Sequence, residues 1–87
     1  MSWVCYMLHC SDGTLYTGIT NDLAKRIAAH NAGEGAKYTR GRTPVALAYV
    51  EHCADKSAAL KREMIIKRLS RCEKQALCRV TPYSENP

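Results

Sequence analysis

Two apolar runs of strand length, residues 3–10 and 15–19, flank the four residues Ser11-Asp12-Gly13-Thr14. An Asp-Gly step between such runs marks a β-hairpin, because the turn demands a positive φ that Gly and Asp tolerate. The two strands are therefore expected to be antiparallel neighbours, and every later element has to pack against the sheet they begin.

Past the hairpin the periodicity changes. Asn21 and Asp22 can cap a helix in which Leu23, Ala24, Ile27 and Ala28 recur at helical spacing until Gly33 stops it. Residues 33–42 carry three glycines, three basic residues (Lys37, Arg40 and Arg42) and Tyr38, and read as a loop with one helical turn at residues 36–39. After Pro44, residues 45–53 are rich in Val, Leu and Tyr and make a third strand. Asp55 or Ser57 caps a helix to about Leu69, and Ser70-Arg71-Cys72-Glu73 has capping-box spacing for another that ends before Pro82. The fold class is α/β, in the α+β sense: a small, mainly antiparallel three-stranded sheet flanked by helices.

A chain of 87 residues leaves room for one domain, spanning 1–87 with its core at about 3–80 and a tail at 81–87. At this size it buries roughly 60 to 65% of its unfolded surface. No run is long enough to cross a membrane, and residues 1–10 lack the basic start and cleavage signal of an exported precursor, so a cytoplasmic protein is expected. The net charge of +5 favours a polyanionic partner. Five cysteines cannot all pair and none stands in a C-x-x-C, so reduced, mostly buried thiols are expected. His9-Cys10 and His52-Cys53 would have to leave regular strand geometry to share a zinc ion, because adjacent strand residues face opposite ways.

The residues with chemistry to offer come from several elements. Arg26 and His30 are one turn apart on the first helix, beside the Leu23 and Ile27 stripe, and point along the sheet. On structure alone they would be a snorkelling Arg and a surface His at the edge of a core. Glu63 falls between Ala59 and Ile66 on one side and Leu60 and Met64 on the other, a carboxylate within an apolar face. It needs a cation: Lys67 one turn on, an Arg from elsewhere, or a bound metal. Tyr6 and Tyr16 sit on the two hairpin strands, where two phenols can be simple cross-strand packing. Together the set holds what phosphodiester hydrolysis requires: a base for water, a cation for the phosphoryl oxygens, and a carboxylate for a hard metal.

Val4-Cys5-Tyr6 and Tyr16-Thr17-Gly18 stand where GIY-YIG nucleases carry their two name motifs, with ten residues from one tyrosine to the next. Ile19-Thr20-Asn21-Asp22-Leu23, Arg26, His30 and Asn31 follow. The chain resembles the short stand-alone branch of that family, which is similar to the nuclease subunit of the structure-specific Slx endonucleases. His30-Asn31-Ala32-Gly33, Gly35-Ala36-Lys37-Tyr38-Thr39-Arg40, and Ala59-Leu60-Lys61-Arg62-Glu63 with Ile66-Lys67 extend the likeness over residues 3–79. The first motif lacks its Gly, the second has Thr17 where Ile is usual, and the late Asn of larger members has no counterpart beyond a poor candidate in Asn86.

The resemblance implies a divalent-metal-dependent DNA endonuclease, structure-specific and tied to repair or recombination. It implies Tyr6 as general base with help from His30, Tyr16 orienting water or phosphate, Arg26 clamping the scissile phosphate, and Glu63 holding one Mg²⁺ or Mn²⁺. Which tyrosine acts as base stays open. DNA, branched or single-stranded, is the expected partner, with a protein partner subunit as a further one and no membrane. A nucleic-acid adaptor of the same fold, or a nuclease silent until a partner orders its site, are the rival readings. Lys37, Arg40, Arg42 and Lys67 are the candidate phosphate contacts, and Tyr38 is a candidate stacking surface for an unpaired base. Replacing Lys37, Arg40 and Arg42 together with Gln is expected to weaken DNA binding and flatten its salt dependence; a salt slope equal to that of the wild type would rule the basic segment out.

Overall fold

The hairpin forms where the Asp-Gly step places it. In the computed structural model, which describes residues 2–80, β1 (Trp3–His9) pairs antiparallel with β2 (Leu15–Thr20). Gly13 takes φ 84°, and Asp12 Oδ1 accepts from the Thr14 amide and hydroxyl. α1 (Leu23–Asn31) and the single turn α2 (Lys37–Arg40) follow, then β3 (Ala46–Cys53), α3 (Lys56–Lys67) and α4 (Arg71–Val80). The expected helix stop at Pro82, and Asn86, lie outside the described residues.

The strand order is β2-β1-β3 and both pairings are antiparallel. β1 is therefore covered on both faces, and Val4 through Leu8 are all buried. That explains its unbroken apolar run, since a central strand between two helical layers has no solvent face to make polar. Val4, Tyr6, Leu8, Cys10 and Val45 gather on one face under Leu23 and Ile27 of α1. Cys5, Met7 and Tyr49 gather on the other with Ile66 of α3 and, at the margin, Leu77 and Cys78 of α4.

The helix ends obey the local signals. Asp22 accepts from the Lys25 amide and Asp55 from the Ala58 amide, so each caps its helix, while Ser70 and Glu73 bond each other's backbone amides reciprocally. Long-range ties then set the helices against the sheet. Glu51 of β3 accepts from Arg62 of α3, an ion pair at 2.9 Å, and so orients the helix that carries Glu63. Asn31 donates to the Val45 carbonyl and accepts from its amide, fastening the end of α1 to the approach of β3.

Two expectations change, and a third gains its geometry. The thiols are mixed, with Cys5 and Cys10 buried, Cys53 and Cys78 half-buried and Cys72 exposed, because α4 covers the sheet only with one side. Leu60 and Met64 are 42% and 56% exposed, so α3 buries the Ala59 and Ile66 side alone and Glu63 lies at the border of that face rather than inside a wide one. The antiparallel register pairs Val4 with His52 and His9 with Ala46, so the two His-Cys pairs sit at opposite ends of the sheet, too far apart for one zinc ion.

Removing the Asn31 side chain leaves the Val45 amide and carbonyl without these partners. Asn31→Ala is expected to lower stability by about 1–3 kcal/mol, read from urea unfolding, with an unchanged midpoint as the contrary result.

Candidate active site

A chain of hydrogen bonds runs through the interior from β1 to α2. The Tyr6 hydroxyl lies 2.9 Å from His30 Nε2, and His30 Nδ1 lies 2.7 Å from Thr39 Oγ1. Thr39 gives its only hydroxyl proton to the Ala36 carbonyl, at 2.9 Å. Toward the imidazole it can therefore only accept, which puts the ring proton on Nδ1 and leaves Nε2 to accept from Tyr6. Tyr6, His30 and Thr39 are all fully buried. The surface histidine of the structural reading is thus a core histidine with both nitrogens engaged, because α1 turns that position under the hairpin.

Two glycines make the arrangement possible. Gly18 faces Tyr6 across the hairpin, and a Cβ there would stand 2.7 Å from the Tyr6 hydroxyl and 3.0 Å from the Tyr16 ring. At Gly35 a Cβ would fall on the His30 imidazole itself. Tyr16 sits diagonally from Tyr6 rather than opposite it, with ring centroids 6.4 Å apart, and meets the edge of His30 at 5.2 Å.

Charge tunes this cluster. Burial pushes the Tyr6 phenol up to about 12, and the Arg26 guanidinium beside it pulls the other way, while Tyr16 and Glu63 add to the rise. Burial, then Arg26, holds His30 below its ordinary value of 6.5, so the imidazole is neutral at pH 7. Arg26 thus acts on both members of the pair. Glu63, on α3, is 18% exposed and meets the Lys67 ammonium at 3.4 Å. Its charge is also felt at Tyr6, so the structure brings Tyr6, Tyr16, Arg26, His30 and Glu63 into one electrostatic neighbourhood.

The basic candidates divide. Lys37 and Arg40 on α2 are exposed, as is Lys67. Arg42 is engaged: its Nε meets Asp12 at 2.8 Å, one Nη donates to the Tyr38 carbonyl, and the guanidinium lies 4.0 Å over the Tyr38 ring. Its side chain ties α2 to the hairpin turn. Tyr38 has Tyr16 stacked against it, ring centroids 5.8 Å apart, as well as Arg42, and stays 40% exposed.

The family model for the GIY-YIG catalytic domain matches residues 2–76, with the paired tyrosines, Arg26 and Glu63 inside the match. The chain belongs to the GIY-YIG family. Among similar proteins, a UPF0213 protein of Halobacterium salinarum is 60% identical over 83% of this chain and 94% of its own length. The solution structure of a UPF0213 protein from Bacillus halodurans shares 42% identity and a TM-score of 0.60, covering 92% of this chain and 85% of that one. A second solution structure, of a protein from E. faecalis, shares 36% identity over the same fractions with a TM-score of 0.63. Membership in the GIY-YIG family supports a nuclease-type function, and GIY-YIG nucleases generally use a divalent metal.

The sequence reading of this GIY-YIG domain missed Thr39 and Gly35. Both stood in a segment read as basic loop, and the signal that finds them is a histidine turned inward, which needs a polar partner and room behind its ring. Since His30 takes its proton at a lower pH in the fold than the 6.5 of the free group, stability is expected to fall as pH drops below about 6.5. Urea unfolding between pH 7 and 5 checks this, and His30→Asn should flatten the dependence.

Proposed function

We propose that the chain is a divalent-metal-dependent DNA endonuclease hydrolysing phosphodiester bonds. The observation that supports this best is the buried chain from Tyr6 through His30 to Thr39 with Arg26 beside it. A phenol with ordinary acidity is a poor base at neutral pH, and this one is harder still to ionise. It can take a proton from water only if its own proton leaves at the same time, and Nε2 of a neutral His30 is placed to receive it. Arg26 opposes a second positive charge on His30. A phosphate bound to Arg26 cancels much of that opposition, so the relay gains basicity when substrate is in place.

In this reading Tyr6 is the general base, His30 takes the proton passed on, Tyr16 orients water or phosphate, and Arg26 clamps the scissile group. Glu63 fits a hard divalent ion: it is a mostly buried oxygen donor whose nearest cation is a flexible lysine at 3.4 Å. No group of three His, Cys, Asp or Glu side chains gathers among the described residues, and one carboxylate suits a single Mg²⁺ or Mn²⁺ that takes its other ligands from water and phosphate. Such an ion would supply charge stabilisation at the phosphoryl oxygens. Lys37, Arg40 and Lys67 then serve as phosphate contacts, with Arg42 and Tyr38 shaping the wall beside them. A role in DNA repair or recombination, on branched or single-stranded DNA, is the biological setting this reading suggests. A partner-dependent nuclease is the second reading, favoured by the exposure of Leu60, Met64 and Ile65 on α3.

Cleavage of labelled branched, flapped and single-stranded DNA with Mg²⁺ or Mn²⁺, and with chelator, tests the proposal. Tyr6→Phe, Arg26→Ala and Glu63→Gln are each expected to cut about 10²–10⁴-fold more slowly. Thr39→Val should lose activity that Thr39→Ser retains. A wild-type chain that binds DNA and never cuts with either ion would replace the enzyme by the adaptor or the partner-dependent form, and co-purification of a second protein separates those two.

A further inference from the structure

Three consecutive residues of the edge strand β2, Leu15, Tyr16 and Thr17, line a hollow of about 330 Å³ together with Tyr38, Lys67 and Lys74. A second hollow of about 190 Å³ shares Leu15, Tyr38 and Lys74 and adds Arg71, whose guanidinium reaches the Gly13 carbonyl. The two make one trough from Tyr16, at the catalytic cluster, toward the hairpin turn. Its lining carries three cations from α3 and α4 and no carboxylate.

Thr17, among its lining residues, is 3% exposed, and its Oγ1, closed to solvent, is the one buried side-chain polar atom among the described residues with no hydrogen-bond partner. A hydroxyl buried without a partner works against folding, and an apolar side chain would serve the packing better. An unpaired donor at a basic trough suits a ligand rich in anionic oxygens.

We propose that this trough is a phosphate-binding subsite for an unpaired nucleic-acid strand continuing from the scissile linkage, with Lys67 and Lys74 facing its phosphates and the enclosed Thr17 hydroxyl turning outward to donate to them. The inference rests on the nuclease reading and adds the substrate feature that reading leaves open. A hollow of this size holds a nucleotide rather than a duplex. Tyr38 holds Tyr16 and Arg42 against its ring, stays 40% exposed, and forms the wall beside the cations. The cations of the lining grip the backbone, so binding through the trough is independent of base sequence.

Fluorescence anisotropy of a labelled oligothymidylate of about ten residues, in chelator so that nothing is cut, measures the subsite directly. Thr17→Val and Lys74→Gln are each expected to weaken binding about fivefold or more. The slope of log affinity against log salt should drop by about 0.7 for Lys74→Gln and stay unchanged for Thr17→Val. Thr17→Val should melt at the same temperature as wild type or higher, which separates lost binding from lost folding. Wild-type affinity in both folded variants, or no binding by the wild type, overturns the proposal. Metal-dependent cutting by the wild type, lost in Glu63→Gln, is the separate readout of the nuclease reading. Cutting with undiminished oligonucleotide affinity in both Thr17→Val and Lys74→Gln sinks the subsite alone. The expected loss of affinity in a protein that never cuts keeps the subsite and removes the enzyme.

Discussion

The pairing of Tyr6 with Gly18 across the first hairpin is the contact on which the candidate site depends. It sets the register of β2 on β1, and a slip of one residue would turn every side chain of β2 to the other face of the sheet. In the observed register the Tyr6 phenol passes over a residue with no side chain, Tyr16 lies diagonally beside it, and the buried hydroxyl is left facing α1. A Cβ at position 18 would take that space, so the hairpin, the orientation of Tyr6 and the position of His30 stand or fall together.

Against that frame the interior carries a polar chain that a stability-driven core would avoid. Tyr6, His30 and Thr39 are fully buried, and the arrangement is tolerable because each donor meets an acceptor and the last proton ends on the Ala36 carbonyl. Full satisfaction also fixes direction: with Thr39 unable to donate to the ring, one tautomer of His30 is left. The same burial that makes the network rigid raises the Tyr6 phenol and lowers His30, so both groups rest neutral beside a permanent cation. Function in this design depends on what a bound anion does to that balance. Thr17 is the contrasting case, a buried hydroxyl that the fold leaves unsatisfied at the basic trough.

How much of this was legible depended on range. The turn at Gly13, the caps at Asp22 and Asp55 and the Ser70-Glu73 box were readable because each involves residues within four of one another. Resemblance to known motifs supplied Tyr6, Tyr16, Arg26, His30 and Glu63, and the fold gathers them into one neighbourhood. Distance in the chain hid the rest. Arg42 looked like a free cation until Asp12, thirty residues earlier, was found holding it. Leu60 and Met64 looked like core because helical spacing shows that a stripe exists without showing whether anything covers it.

By itself, then, the sequence determined the elements, their ends, the hairpin that starts the sheet and the chemical types available to a site. These follow from backbone preferences and periodicity, which act within a few residues. Only the tertiary structure decided that β1 is central, that His30 is buried with a fixed tautomer, that Gly35 stands behind its ring and that Thr17, Lys67 and Lys74 line one hollow. Those are meetings between residues far apart in the chain, set by which apolar faces cover which side of the sheet, and no local preference encodes them.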